Sequence, residues 1–470
     1  IRPVLKGMRT QIRGEKSGKE QVMASVIKDD QVIGKNGVII RKHPQRSDGS
    51  PKYRTYEIYQ RERVGESTEK IKPGQLISEN YRQDPYPTVA VLREHYPCYR
   101  DWLSNSYWIT EYNDVTSIFS DEANFETRPK TWVYGLENPG RNLNEELPLL
   151  EAEEKFTDAR ADEIATTIAV SLAQKGHGNL ATEFAARFAM NLLITSLDIP
   201  SADAGQFTSL FWRMQRGTSW NPALREDGRK ALDELTHYLE PLVATRKKQP
   251  GEDLISVMIQ LAPSDEPTTI DDIVVTLLER DHETLHGTLA NLWFLLLTHP
   301  EEHQQAISDR RLMKLAYLET LRHSTPVIYA HRYARHEVER FGRLIPEGAQ
   351  LVCSAAAANR DPKIFNDPNK FIVDRKDMCQ RESRGQYRAD GLAAGIAFGL
   401  GKPSIHPAIP EDRPRSRYAL TRDTAVTASQ VLVSHLDNIR LAKGTSPKLS
   451  ALTVGEMHTC WKLPVTFSKK

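Results

Sequence analysis

The chain has 470 residues, 39% of them hydrophobic, and a formal net charge of +1. That length accommodates one large domain or two ordinary ones, with apolar content for a large core. Four scattered cysteines (Cys98, Cys353, Cys379, Cys460) without CxxC spacing argue against a zinc centre and a disulfide framework, and no metal site is expected.

The apolar run at 292–297 is far short of the roughly 20 residues a membrane span needs, so no membrane partner is expected. The opening IRPVLKGMRTQIRGEK has no apolar core of a signal peptide, and a reducing cytoplasm is the expected location. Residues 1–75 hold 17 Lys/Arg against 9 Asp/Glu, whereas the remainder is mildly acidic. This reads as a solvated basic arm, with docking on a second copy as the sharper alternative. Few aromatics lie among its basic residues, which disfavours nucleic acid as a partner.

In chain order, 20–64 reads as short β runs broken by DD, GKNG and SDGSP turns. Residues 85–135 read as helix, strand, helix and loop. From 158 to 300 apolar residues recur at three-and-four spacing, the mark of helices. The longest predicted helix spans 270–299. Asp271 and Asp272 occupy its first turn and Pro300 ends it. A short helix at 313–324 follows. Strands are then predicted in AHRYAR, HEVERFGRLI and QLVCSAAA. NRDPKIFNDPNKF reads as a loop, 420–435 as the last helix, and KLPVTFS as a closing strand.

An ordered series of residues resembles the cytochrome P450 superfamily, bacterial type, from about residue 85 to 467. Glu319-Thr-Leu-Arg322 is similar to the family's ExxR. His331-Arg332-Tyr-Ala-Arg335, Ile345-Pro-Glu-Gly348, Ala358-Asn-Arg-Asp-Pro362 and Phe365-Asn-Asp-Pro368 follow in family order. Ala397-Phe-Gly-Leu-Gly401 resembles the start of the haem-binding signature. The resemblance implies a mainly α fold with a smaller β region, a triangular helical prism. Here it carries a β-rich extension at 1–75 ahead of a P450-like domain at 76–470.

Family chemistry would be monooxygenation by a thiolate-held haem. The sequence departs from that pattern around the haem. Counted forward, the family cysteine falls at Ile405; counted back from Leu420-Thr-Arg422, at Arg415; the family His is Pro403. Over the iron, where the family has two small residues before its acid and Thr, the sequence reads Arg280-Asp281-His282-Glu283-Thr284. Where the family supplies propionate-binding cations, 144–154 is acidic, and only Arg332 matches a propionate partner.

No cofactor is expected from these departures. With haem present, Arg332 and His406 are the cofactor-binding candidates. The expectation is a haem-free P450 fold whose vacated pocket performs redox-neutral acid–base chemistry on an apolar small molecule, in a secondary-metabolic setting. Glu283, Arg280, Thr284 and Asp281 are the candidate catalytic residues. Arg280, Glu283 and Thr284 share a helical face, and Arg280 is expected to pair with Asp281, Glu283 or another acid. Met457, His458 or Cys460 would line the pocket. Two alternatives stand beside this one. The first is a non-catalytic helper of a partner enzyme, or a homodimer, joined through 1–75; the family has cysteine-less members that accompany sugar-transferring enzymes. The second is a monooxygenase with unusual haem ligation.

Overall fold

The computed structural model describes strands at Gln31–Ile33 and Ile39–Arg41, and residues 70–470 apart from 73, 102, 120, 220, 262–265, 378–413 and 453–456. The two early strands, β1 and β2, pair antiparallel with Val32 opposite Ile40. The remainder of the β-rich reading of 20–64 lies outside the described residues. So do Cys379, the 395–401 signature and His406.

The body begins with α1 (Glu79–Gln83), α2 (Tyr86–His95), β3 (Cys98–Asp101), β4 (Ser106–Ile109), α3 (Tyr112–Phe119), β5 (Phe125–Glu126) and α4 (Lys130–Tyr134). A long helical stretch follows: α5 (Leu147–Ala173), β6 (His177–Asn179), a π-helix (Leu180–Ala186), α6 (Arg187–Ser196), α7 (Ala204–Arg216), α8 (Pro222–Lys248) and α9 (Leu254–Gln260). Then come α10 (Ile270–Leu278), α11 (Glu283–Thr298), α12 (Pro300–Ser308) and α13 (Arg310–His323). The chain closes with β7 (Ala330–Ala334), β8 (Val338–Arg340), β9 (Arg343–Ile345), β10 (Gln350–Cys353), α14 (Ala355–Ala358), α15 (Arg417–His435), β11 (Leu436–Leu441), β12 (Leu449–Ser450), β13 (Thr459–Cys460) and β14 (Pro464–Lys469).

The architecture is mainly helical with a smaller β region, as expected from the sequence. α5, the π-helix, α11, α13 and α15 share one apolar core around the fully buried Trp293. α6 to α10 share a second core around Phe207, Phe211 and Met214. A five-stranded sheet in the order β3-β4-β10-β7-β5 forms the β side. In it β10 runs parallel to β4, with Leu351 opposite Tyr107, and antiparallel to β7, with Leu351 opposite Arg332. Ile71 and Leu76 are already buried against this side, so packing begins before residue 76.

Three readings change. The helix predicted over 270–299 is two helices with a break at 279–282. The AAA of QLVCSAAA is not strand but the short helix α14, because the Ser354 hydroxyl accepts from Ala357 N and caps it. HEVERFGRLI is a hairpin of two short strands. Phe341 and Gly342 turn between them at φ 56° and 69°, the left-handed pair that suits a two-residue turn.

Candidate functional site

The break between α10 and α11 has local and distant causes. Asp281 Oδ1 accepts from Glu283 N and Thr284 N, both at 3.1 Å, and its Oδ2 accepts from the Thr284 hydroxyl. This satisfies donors that a helix start leaves open. On the α10 side, Gln215 Nε2 donates to the carbonyls of Leu277 and Leu278 at 3.1 Å each. Lys130 Nζ reaches Arg280 O at 3.3 Å, and Glu279 Oε1 accepts from Thr131 N. Groups on α7 and α4 therefore replace the helical hydrogen bonds that a continuous helix would make.

Freed from helical geometry, Arg280 turns to α5 and pairs with Glu153. The other Glu153 oxygen accepts from Arg417 Nη1 at 2.9 Å, and Arg417 Nη2 also reaches Asn144 O. Burial alone would raise the Glu153 carboxyl, but Arg280 and Arg417 hold it below the usual range. Burial also lowers Arg280, with Glu153 opposing. Beside this triad, Arg415 binds Glu154, at 2.8 Å from Nε, together with Asp158 and Asp423. Glu153 and Glu154 are thus countered by cations from the start of α15 and from the helix break. The partner of Arg280 is neither Asp281 nor Glu283 but a more distant acid. Arg280 and Asp281 line a cavity of about 90 Å³ between α5, α6, α7 and α15.

Glu283 lies elsewhere, on a separate cavity of about 330 Å³ lined mainly by apolar groups. Trp212, Trp461, Met457 and the π-helix residues Ala181, Thr182 and Ala186 supply its walls. His282 and His286 lie between the two cavities and line both. The Trp212 ring meets both imidazoles edge-on, with centroids 4.8 and 5.4 Å away. Both Nδ1 atoms are buried without a hydrogen-bond partner. Burial pushes the His286 imidazole down to about 4, and burial with Lys130 nearby pushes His282 well below its usual value. Both rings are therefore neutral at pH 7 and can accept or donate one hydrogen bond each.

The four candidate catalytic residues thus separate. Glu283 faces the larger cavity, Thr284 is buried and bonded to Asp281, and Arg280 belongs to the triad. The sequence reading passed over His282 and His286. Their signal was present as HExxH, a spacing that places two imidazoles and a carboxylate on one helix and holds metals elsewhere. Among the described residues no group of three His, Cys, Asp or Glu side chains converges for a metal ion. Of the C-terminal candidates, Met457 lines the 330 Å³ cavity, whereas His458 and Cys460 are absent from its walls. His458 Nε2 faces Gln83 O at 3.3 Å, and Cys460 N donates to Asn291 Oδ1.

Glu319 and Arg322 are both buried and joined by two 2.7 Å hydrogen bonds. Arg322 also donates to the carbonyls of Asn359, Pro368 and Lys370, and Glu319 receives Arg375 Nε at 3.1 Å. The pair fastens the 359–375 segment to α13. Arg332 is buried with its guanidinium 4.5 Å from the Phe119 ring centroid, and its Nη1 donates to His331 O.

The sequence profile of the family described as Cytochrome P450 matches residues 208–388. Pulcherriminic acid synthase of Bacillus subtilis (strain 168) is 24% identical over 397 residues, 80% of this chain and 93% of the relative. Vitamin D(3) 25-hydroxylase of Pseudonocardia autotrophica is 25% identical over 406 residues, 78% of this chain and 96% of the relative. P450BioI, solved in complex with an acyl carrier protein ligated to hexadec-9Z-enoic acid, superposes with a TM-score of 0.67 at 21% identity, over 83% of this chain and 100% of that one. Among the described residues no helix is long and apolar enough to cross a membrane. The protein has the cytochrome P450 fold, and over residues 208–388 its sequence matches that family.

Proposed function

We propose that the chain uses this scaffold for redox-neutral proton transfer on a small, mainly apolar molecule, without a thiolate-held haem. Residues 380–459 contain no cysteine. A thiolate ligand needs an acidified thiol in an electropositive setting. Two of the described cysteines are shifted the other way: burial pushes Cys353 up to about 12 and Cys460 up to about 11. Arg280, Glu153 and Arg417 form an ion triad whose members come from the helix break, α5 and the start of α15, the elements that the resemblance sets around a haem. Glu153 and Glu154 stand in the stretch where the resemblance implies cations for the carboxylates of such a group, and the arginines that reach this stretch are already engaged by those two acids. These residues do not fit a haem bound through cysteine, so no step is routed through one.

The observation that carries the catalytic reading is the wall of the 330 Å³ cavity: one carboxylate, Glu283, and two neutral imidazoles, with Arg216 and a few hydroxyl and amide groups beside indole rings and aliphatic groups. Such a cavity, apolar with a few convergent polar groups, is the usual form of a small-molecule site. Glu283 and His286 are three residues apart on α11 and share its face. In this reading Glu283 takes a proton from the substrate and returns it at a second position. His286 hydrogen-bonds the substrate's polar group while the indoles exclude water.

The test is the absorption spectrum of the purified full chain, expressed with haem precursor, followed by ligand binding read through indole fluorescence. The expected sample is colourless and binds apolar ligands, and E283Q binds them equally well but loses turnover. A stoichiometric Soret band would overturn the haem-free reading and return the protein to the oxidative chemistry that the names of its relatives describe.

A further inference from the structure

A third cavity, larger than the two above, lies on the sheet side and shares the wall residue Thr218 with the cavity of Glu283. It measures about 820 Å³ and opens between the β3–β4 hairpin, α4, the start of α8 and the 346–350 turn. Four arginines line it, Arg100, Arg128, Arg225 and Arg229, and Glu347 is the one carboxylate among its lining residues. Its imidazole, His331, adds no charge, since burial pushes it down to about 4.

These guanidiniums contact several neutral groups. Arg128 lies between two rings, 4.5 Å from the Trp132 centroid and 4.0 Å from that of Tyr333, with Glu126 at 3.7 Å. Arg100 is buried over Tyr107, at 4.7 Å, and donates to Asn105 Oδ1 and Asp101 O. Arg229 donates to Tyr134 O, and Arg225 Nη2 to Ser219 O at 3.4 Å. Arg225 Nε is buried with no hydrogen-bond partner.

We propose that this cleft is a binding site for a small, multiply charged organic anion, a phosphate ester or a polycarboxylate. Arg225 and Arg229 are four apart on α8, where like charges repel in the absence of a counter-ion. Arg100 and Arg128 oppose them from the β3–β4 hairpin and the approach to α4. A guanidinium presents a planar fork of donors that matches carboxylate and phosphate oxygens. The ring packing of Arg128 and Arg100 orders two of these forks in advance, which lowers the entropy lost on binding. The volume falls in the range of roughly 300–1,000 Å³ typical of small-molecule pockets. The proposal does not require the proton-transfer reading or an answer on haem, although Thr218 lines both cavities.

The experiment titrates the full chain with citrate and with inorganic pyrophosphate, by calorimetry and through Trp132 fluorescence, at low and at physiological salt. R225Q/R229Q is compared with K247Q/K248Q, which removes two exposed charges from the far end of the same helix. The expected result is saturable binding that R225Q/R229Q weakens by roughly tenfold or more and K247Q/K248Q leaves unchanged. Absence of binding by both probes overturns the proposal. Equal weakening by both variants does so too, since that is the signature of diffuse charge attraction. Should R225Q/R229Q fail to fold, phenylglyoxal modification of the wild-type chain decides. Protection of Arg225 and Arg229 by either probe supports the site, and modification at an unchanged rate refutes it.

Discussion

Replacing Glu153 by Gln removes the one carboxylate shared by Arg280 and Arg417 while keeping its shape. The side chains of Arg280 and Glu153 are only 11% and 16% exposed, so two guanidiniums are left facing a neutral amide with little water to screen them. Breaking a buried ion pair from one side costs about 3–5 kcal/mol, and the residual exposure places this case near about 3. With about 2.1 cal/mol/K of unfolding entropy per residue, that is a fall of about 3 °C in Tm for a chain of this size. Urea titration gives the free energy more directly, provided the slope is unchanged. The pH dependence supplies a second check. A carboxyl lowered by folding stabilises fully above its unfolded value of about 4.3, and that stability is lost as pH falls through the lower folded value. E153Q therefore costs most at neutral pH and converges on wild type in acid. Replacing all three triad members by Met costs less than E153Q alone, since the uncompensated cations leave with the anion. A loss under about 0.5 kcal/mol for E153Q, typical of exposed pairs, would refute the reasoning.

Arg322→Lys keeps the charge but cannot span Glu319 and three carbonyls from one point. Losing two or more charged hydrogen bonds costs about 3–6 kcal/mol, so soluble yield and urea midpoint both drop sharply. Gly287→Ala would press a methyl group against Pro326 and Met457. Overpacking of about 1–3 kcal/mol exceeds the helix gain of about 1, so a small net loss in thermal stability is expected, with weaker ligand binding where Met457 lines the cavity. His286 and His458 are both depressed to about 4 by burial. The unfolded chain takes up their protons first, so stability is full above pH 6.5 and declines as pH falls towards 4. His286→Asn flattens that decline in acid denaturation curves, and an unchanged slope would count against the burial of this ring.

Elements built from local pattern were legible. The helices of 158–260 follow their apolar spacing, and Glu319 and Arg322 join across one turn of α13 as three-apart residues can. The break at 279–282 was not legible, because its carbonyls are satisfied by Gln215 and Lys130, remote in the chain. The partner of Arg280 was equally hidden, since Glu153 precedes it by 127 positions. α14 misled because an alanine run after a β-branched strand carries no periodicity, and only the Ser354 cap decides it. The HExxH spacing was visible, but the stretch was read for its acids, Arg280 and Thr284 and not for its imidazoles.

The parallel pairing of β4 with β10 has a consequence during synthesis. Ser106–Ile109 must wait for Gln350–Cys353, which leaves the ribosome some 240 residues later. At about 5–20 residues per second the delay is about 12–50 s. Throughout it, one edge of the emerging hairpin offers unpaired amides to any neighbouring nascent chain. Shielding of that edge during synthesis is therefore expected to favour native chains, and slowing translation between the two strands is expected to lower their yield while leaving the finished fold unchanged.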